Sequence, residues 1–132
     1  MSFLLDTDIC SGYLKGNHQL WQRFQQYGGR LHISVITAGE LFTWCLRASA
    51  SPKQLQGVED LLKTVTIHEV SLDVSRKFAE LRAARLDAGQ GTRDMDLLIA
   101  ATALVHNLTL VTHNVQDFTD LPGLVVDDWL AP

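Results

Sequence analysis

The sequence has little with which to staple or anchor itself. It holds only two cysteines, Cys10 and Cys45. Both fall in stretches that read as apolar helix, so the expectation is two buried thiols in a reducing compartment, not a disulfide framework. No Cys or His spacing suggests a zinc site. The five histidines, His18, His32, His68, His106 and His113, are scattered. Long hydrophobic runs are missing too. The longest, residues 97–105, is broken by Thr102 and is too short to cross a bilayer. No basic region precedes the first apolar residues, which argues against a signal peptide. A cytoplasmic chain with no membrane partner is expected. Repeats and low-complexity tracts are absent, and the small-residue stretch 48–52 is too short for a domain linker.

A basic excess is also lacking. Fifteen acidic residues face eleven basic ones, for a net charge of −4. That argues against a protein that coats nucleic acid non-specifically. It does not exclude RNA. Six acids, Asp6, Asp8, Glu40, Asp94, Asp96 and Asp117, fall in motifs described below. With those set aside, nine acids remain against eleven bases. A bound divalent metal would cancel much of the remaining negative patch. The 132 residues are 46% hydrophobic and 20% charged. That suits one globular domain spanning 1–132.

Short apolar runs alternate with segments of helical period. Residues 3–5 form a buried strand ending at Asp6, and 7–15 read as a helix. Leu20, Trp21 and Phe24 recur at helical spacing before Gly28 and Gly29. Residues 31–35 are a second strand and 36–46 a helix. A further helix covers 53–63, a third strand 65–70, and the longest helix 73–88. Residues 94–106 form a helix apolar almost all round, hence central. A fourth strand covers 108–112, a turn or short helix 115–121, and a last strand 124–126. This alternation predicts an α/β fold with a parallel sheet between helices.

Four acids occupy related places. Asp6 ends the first strand, Glu40 lies in the helix after the second, Asp96 opens the central helix, and Asp117 follows the fourth strand. In open parallel sheets, sites form at the carboxyl ends of strands. Each acid alone also has a capping explanation. Asp6 or Thr7 caps the first helix, Thr37 and Glu40 fit a capping box, Asp94 is an N-cap, and Asn114 to Asp117 repeats the pattern. Jointly they are a self-repelling cluster that needs a positive partner. In sequence, Arg93 alone flanks one of them closely. Oxygen-only ligands suit magnesium or manganese. Such a metal polarises a phosphoryl oxygen and generates hydroxide from water, which points to phosphodiester hydrolysis.

The motifs resemble those of the PIN-domain family, in particular VapC-type toxins. Phe3-Leu4-Leu5-Asp6-Thr7-Asp8 is similar to the opening strand motif. Residues 33–41, ending Gly39-Glu40-Leu41, resemble the second. Asp96-Leu97-Leu98-Ile99-Ala100-Ala101 resembles the third and most specific. Leu110 to Asn114 with Asp117-Phe118 resembles the fourth, and Leu121-Pro122-Gly123-Leu124 with Asp128-Trp129 the VapC-type tail. The resemblance implies a three-layer α/β/α PIN-like fold with a short, mostly parallel central sheet. It implies a magnesium-dependent endoribonuclease, with manganese as substitute, that cuts structured RNA such as tRNA or rRNA. It implies a homodimer and a cognate VapB-type antitoxin. Carried over, Asp6, Glu40, Asp96 and Asp117 are the catalytic, metal-binding acids. Thr7, Thr112 and Asn114 support them. Arg93, then Arg82 and Arg85, are candidate RNA phosphate contacts, the last two with a solvated helix face as the plain alternative.

Some positions depart from the family pattern. Asp8 stands where Asn is more usual, and His113 replaces a common Asn. Arg93-Asp94-Met95 occupies a place where relatives often carry small residues or Gly-Pro. Asp94 thus competes with Asp96 for the metal. Asp96 is preferred because it directly precedes Leu-Leu-Ile-Ala-Ala, and Asp94 would point roughly 200° away on a helix. The apolar segment 36–62 suits either an antitoxin groove or the chain's own core and a dimer face. Trp21, Trp44 and Trp129 are read as core or dimer contacts ahead of base-stacking groups. Two rivals stand beside this reading. One is a haloacid-dehalogenase-like phosphatase, disfavoured because Ile9-Cys10 follow Asp8 instead of Gly and Thr. The other is a non-cleaving PIN-like module that binds RNA or a partner.

Overall fold

Phe3, Leu4 and Leu5 are all buried, because the strand that they form is covered on both faces. In the computed structural model, which describes residues 1–132, this strand β1 (Phe3–Leu5) leads to helices α1 (Thr7–Leu14) and α2 (His18–Gln26). Then come β2 (Leu31–Ser34), α3 (Val35–Leu46), α4 (Pro52–Leu62), β3 (Thr66–His68), α5 (Leu72–Asp87), α6 (Asp94–His106), β4 (Thr109–Val111) and β5 (Val126–Asp127). A single 3-10 turn, Val115–Asp117, lies between the last two strands.

The sheet order is β3-β2-β1-β4-β5, and every pairing is parallel. The expected sheet was mostly parallel; the observed one is wholly so. Strands alternate their side chains between faces. Phe3 and Leu5 join one core with Ile9, Leu20, Phe24, Leu41, Val58 and Trp129. Leu4 joins the other with Val74, Leu97, Ile99, Leu110 and Phe118. These are the two interfaces of a three-layer α/β/α stack. The helix apolar all round, α6, is indeed central: Leu97 and 99–103 are buried. Trp129 is core, 1% exposed, whereas Trp21 stays half exposed. Cys10 is buried and Cys45 only partly so; both are free.

Caps explain the boundaries that differ from the sequence pattern. Helix α3 starts one residue early because Ser34, not Thr37, is its cap: Ser34 Oγ accepts from Ile36 N. Likewise Ser71 Oγ accepts from Val74 N and starts α5 at Leu72. The last strand lies later than the pattern 124–126 indicates. Gly123 (φ 79°) and Leu124, whose N–H bonds to Leu121 O, still belong to the turn. Arg93, not Asp94, occupies the cap position of α6.

Ile99 is fully buried on α6, whereas Met95 on the same helix is 59% exposed. Ile99→Ala should therefore cost about 2–5 kcal/mol in urea unfolding, and Met95→Ala within about 0.5 kcal/mol of zero.

Candidate active site

The order of strands reverses at β1, which is followed in sequence by β2 on one side and borders β4 on the other. That switch point leaves a crevice at the carboxyl ends of β1 and β4. Asp6 stands there. Its carboxylate accepts from Thr7 N at 2.8 Å and from Thr112 Oγ1, just after β4, at 2.8 Å. The capping role and the site role thus fall on the same residue. Thr112 Oγ1 also accepts from Asn114 N at 3.1 Å, which fixes the hydroxyl's direction.

Glu40 reaches the same crevice from α3. Thr7 Oγ1 donates to Glu40 Oε1 at 2.6 Å and lies 3.2 Å from Thr37 Oγ1. The capping-box reading of Thr37 and Glu40 is therefore corrected: Thr37 is fully buried inside α3, and Glu40 turns toward α1. Asn114 makes no side-chain cap bond to the 3-10 turn either. Its Nδ2 donates to Asp8 Oδ2 at 3.3 Å.

On the other rim, Arg93 Nε donates to Asp96 Oδ2 at 2.9 Å, and Arg93 Nη2 to Asp117 Oδ2 at 3.3 Å. Asp94 points elsewhere, accepting from Arg82 Nε at 3.1 Å. Its carboxyl is held below the usual range by hydrogen bonds, first from Thr92 and then from Arg82. Of the two, Asp96 is the one whose charge acts on Asp6 and which shares Arg93 with Asp117. Arg85 is a candidate RNA phosphate contact in sequence, with a solvated helix face as the alternative. Its side chain is only 12% exposed, and its guanidinium donates to Asp120, to Asp117 O and to Gly91 O. It braces the turn that carries Asp117 against the loop before Arg93.

Burial, then the neighbouring Asp8 charge, raises the Asp6 carboxyl to about 6. Asp8 is also raised, chiefly by burial. Asp8 Oδ1 is buried with no hydrogen-bond partner, although Oδ2 accepts from His113 N and Asn114 Nδ2. A buried carboxylate oxygen without a donor is costly and fits a cation. The donors here are all oxygens, which suits magnesium or manganese. No three His, Cys, Asp or Glu side chains close into a ready cage. Magnesium usually needs only one or two carboxylates plus water, so the donor set fits it in kind.

Sequence reasoning named several members without finding their partners. Asp8 ties α1 to the loop after β4 in addition to its place in the motif. His113 Nδ1 lies 3.1 Å from Asp128 Oδ2, joining that loop to the tail. The signal for Asp8 was its spacing from Asp6; nothing in the sequence pointed to the contacts that Thr37, Arg85 and Asp128 make.

The chain is similar to known proteins in both sequence and fold. The PIN domain family model matches residues 3–124. The chain is 27% identical, over 98% of both chains, to the tRNA(fMet)-specific endonuclease VapC of Salmonella typhimurium. It is 34% identical to ribonuclease VapC19 of Mycobacterium tuberculosis, over 92% of this chain and 95% of that one. Among solved structures, a chain of DNA-bound VapBC from Salmonella typhimurium superposes with a TM-score of 0.91 at 27% identity, covering 98% of each.

The raised Asp6 carboxyl makes a pH prediction. Protonated Asp6 contributes stability that is full below its unfolded value near 3.8 and is lost as pH rises through about 6. In EDTA, Asp6→Asn should lose this downward slope and melt several degrees above the wild type at pH 7.5. Equal melting curves across pH 4–8 would refute the charge argument. Arg85→Ala should destabilise the chain by about 1–3 kcal/mol, read as a lowered melting temperature, because it leaves Asp120 and two carbonyls without their donor.

Proposed function

The chain belongs to the PIN-domain family, and from that premise we propose that it is the endoribonuclease toxin of a VapBC-type toxin–antitoxin pair. The observation that carries the proposal is the buried Asp6 at the sheet's switch point. It is linked through Thr7 to Glu40 and interacts electrostatically with Asp96. Relatives named as ribonucleases and endonucleases support the same reading.

In this reading Asp6, Glu40, Asp96 and Asp117 hold a divalent metal, magnesium or in its place manganese. When bound, the metal would polarise a phosphoryl oxygen and acidify an attacking water. The chain's own residues do the positioning. Thr112 and the Thr7 amide fix both oxygens of Asp6, so its carboxylate cannot rotate away. The Thr7 hydroxyl holds Glu40, and the Arg85 brace holds the turn bearing Asp117. In-line attack of water on phosphorus leaves a 5′-phosphate and a 3′-hydroxyl. The 2′-hydroxyl is not the nucleophile, so RNA choice rests on shape and backbone contacts. Structured RNA such as tRNA or rRNA is the proposed substrate class.

The proposed partner is a VapB-type antitoxin. Solved relatives include VapBC complexes. Along α3 and α4, Phe42, Leu46 and Leu55 are exposed, Leu46 at 83%. An amphipathic antitoxin helix would cover such side chains. A homodimer belongs to the same proposal. No helix is long and apolar enough to cross a membrane, and a cytoplasmic site of action follows from the RNA substrate.

The decisive assay incubates purified, antitoxin-free protein with total cellular RNA in magnesium, in EDTA, and as Asp6→Asn. Discrete fragments in magnesium alone, reduced at least about 100-fold in the variant, are expected. Intact RNA in every lane from folded protein would move the reading to a non-cleaving module that binds RNA or a partner.

A further inference from the structure

Arg93 is the one lysine or arginine ion-paired with the site's acids, Asp96 and Asp117. Its backbone is left-handed, at φ 44° and ψ 65°. A non-glycine residue pays about 1 kcal/mol for that conformation. Its side chain makes no helix-capping bond. The two ion pairs are therefore its visible compensation. The acids beneath it are more enclosed than the arginine: the Asp96 and Asp117 side chains are 26% and 22% exposed, Arg93 59%. The guanidinium thus lies over the acids from the solvent side, with an open path outward.

A guanidinium and a divalent cation compete for the same oxygens. Arg93 Nε sits 2.9 Å from Asp96 Oδ2. A magnesium ion would need such an oxygen at about 2.0–2.1 Å, and two cations on one carboxylate oxygen repel. The fork that matches two carboxylate oxygens also matches a phosphate. We propose that Arg93 is a displaceable internal counterion: it neutralises Asp96 and Asp117 in the metal-free protein and passes to an RNA phosphate when a divalent cation takes its place. This rests on the nuclease reading above for its second half. Its first half, the exchange of cations, stands on the ion pairs alone. Arg93 so lowers the site's affinity for metal and returns that charge to the substrate, which makes substrate binding and metal loading support each other.

The test uses the full chain as wild type, Arg93→Gln, Arg93→Lys and Arg93→Gly. Arg93→Gly keeps the left-handed backbone without strain, which guards against loss of the fold. Mn2+ affinity is read from the free-ion electron paramagnetic resonance signal, without RNA. The Gln and Gly variants should bind Mn2+ about three- to tenfold more tightly, with Lys between them and the wild type. With saturating Mg2+ and unfractionated tRNA, KM should rise several-fold in both neutral variants with a smaller fall in kcat. The salt dependence of tRNA binding should lose about one ion. Unchanged or weaker Mn2+ affinity in both folded neutral variants would overturn the exchange. Tighter Mn2+ with an unaltered KM would overturn the handover to phosphate. Wild-type protein that binds Mn2+ as described yet leaves RNA whole would sink the nuclease reading while supporting the exchange.

Discussion

The anchoring of one buried carboxylate governs the site. Asp6 ends the central strand, and its two oxygens are held by the Thr7 amide and the Thr112 hydroxyl, 106 residues from Asp6. That bond joins the ends of β1 and β4 at the point where the strand order reverses. It needs the parallel register Leu5↔Val111 to bring Thr112 alongside. The register in turn needs both faces of β1 covered, which the two cores provide. Fold and site are thus one arrangement: the layers that bury Leu4 and Leu5 also place Asp6 at the mouth of the crevice.

Concentrating acids there costs free energy. The raised Asp6 and Asp8 carboxyls are its signature: burial is the larger cause in both, with repulsion from Asp8 and Asp96 added at Asp6 and from Asp128 at Asp8. Part of the charge is offset by Arg93, across Asp96 and Asp117. The remainder includes Asp8 Oδ1, buried without a hydrogen-bond partner. On the proposed reading, that lost stability would be exchanged for affinity toward a metal and an anionic substrate.

Much of the architecture was legible because apolar period and length are local properties. The buried strand 3–5, the central helix 94–106 and the alternation of strands and helices all follow from them. Caps were less legible, since several residues can chemically fill a cap. Thr37 and Glu40 satisfy the capping-box pattern as well as Ser34 satisfies a simple cap; only the end of β2 decides that Ser34 is first. Asp94 and Asp96 likewise both suit the first turn of α6. Their roles separate when α5 offers Arg82 to one, and the crevice receives the other.

The sequence by itself determined the layered α/β class, the identities of the acids and their order along the chain. These depend on residue type and on spacing along one segment. The tertiary structure alone decided which groups meet: Thr7 with Glu40, Asp6 with Thr112, and Arg93 with both Asp96 and Asp117. It also decided that Arg85 serves as an internal brace. The reason is physical. Contacts between residues far apart in sequence are set by strand order and helix packing, and every exposed arginine looks alike until its neighbours are in place.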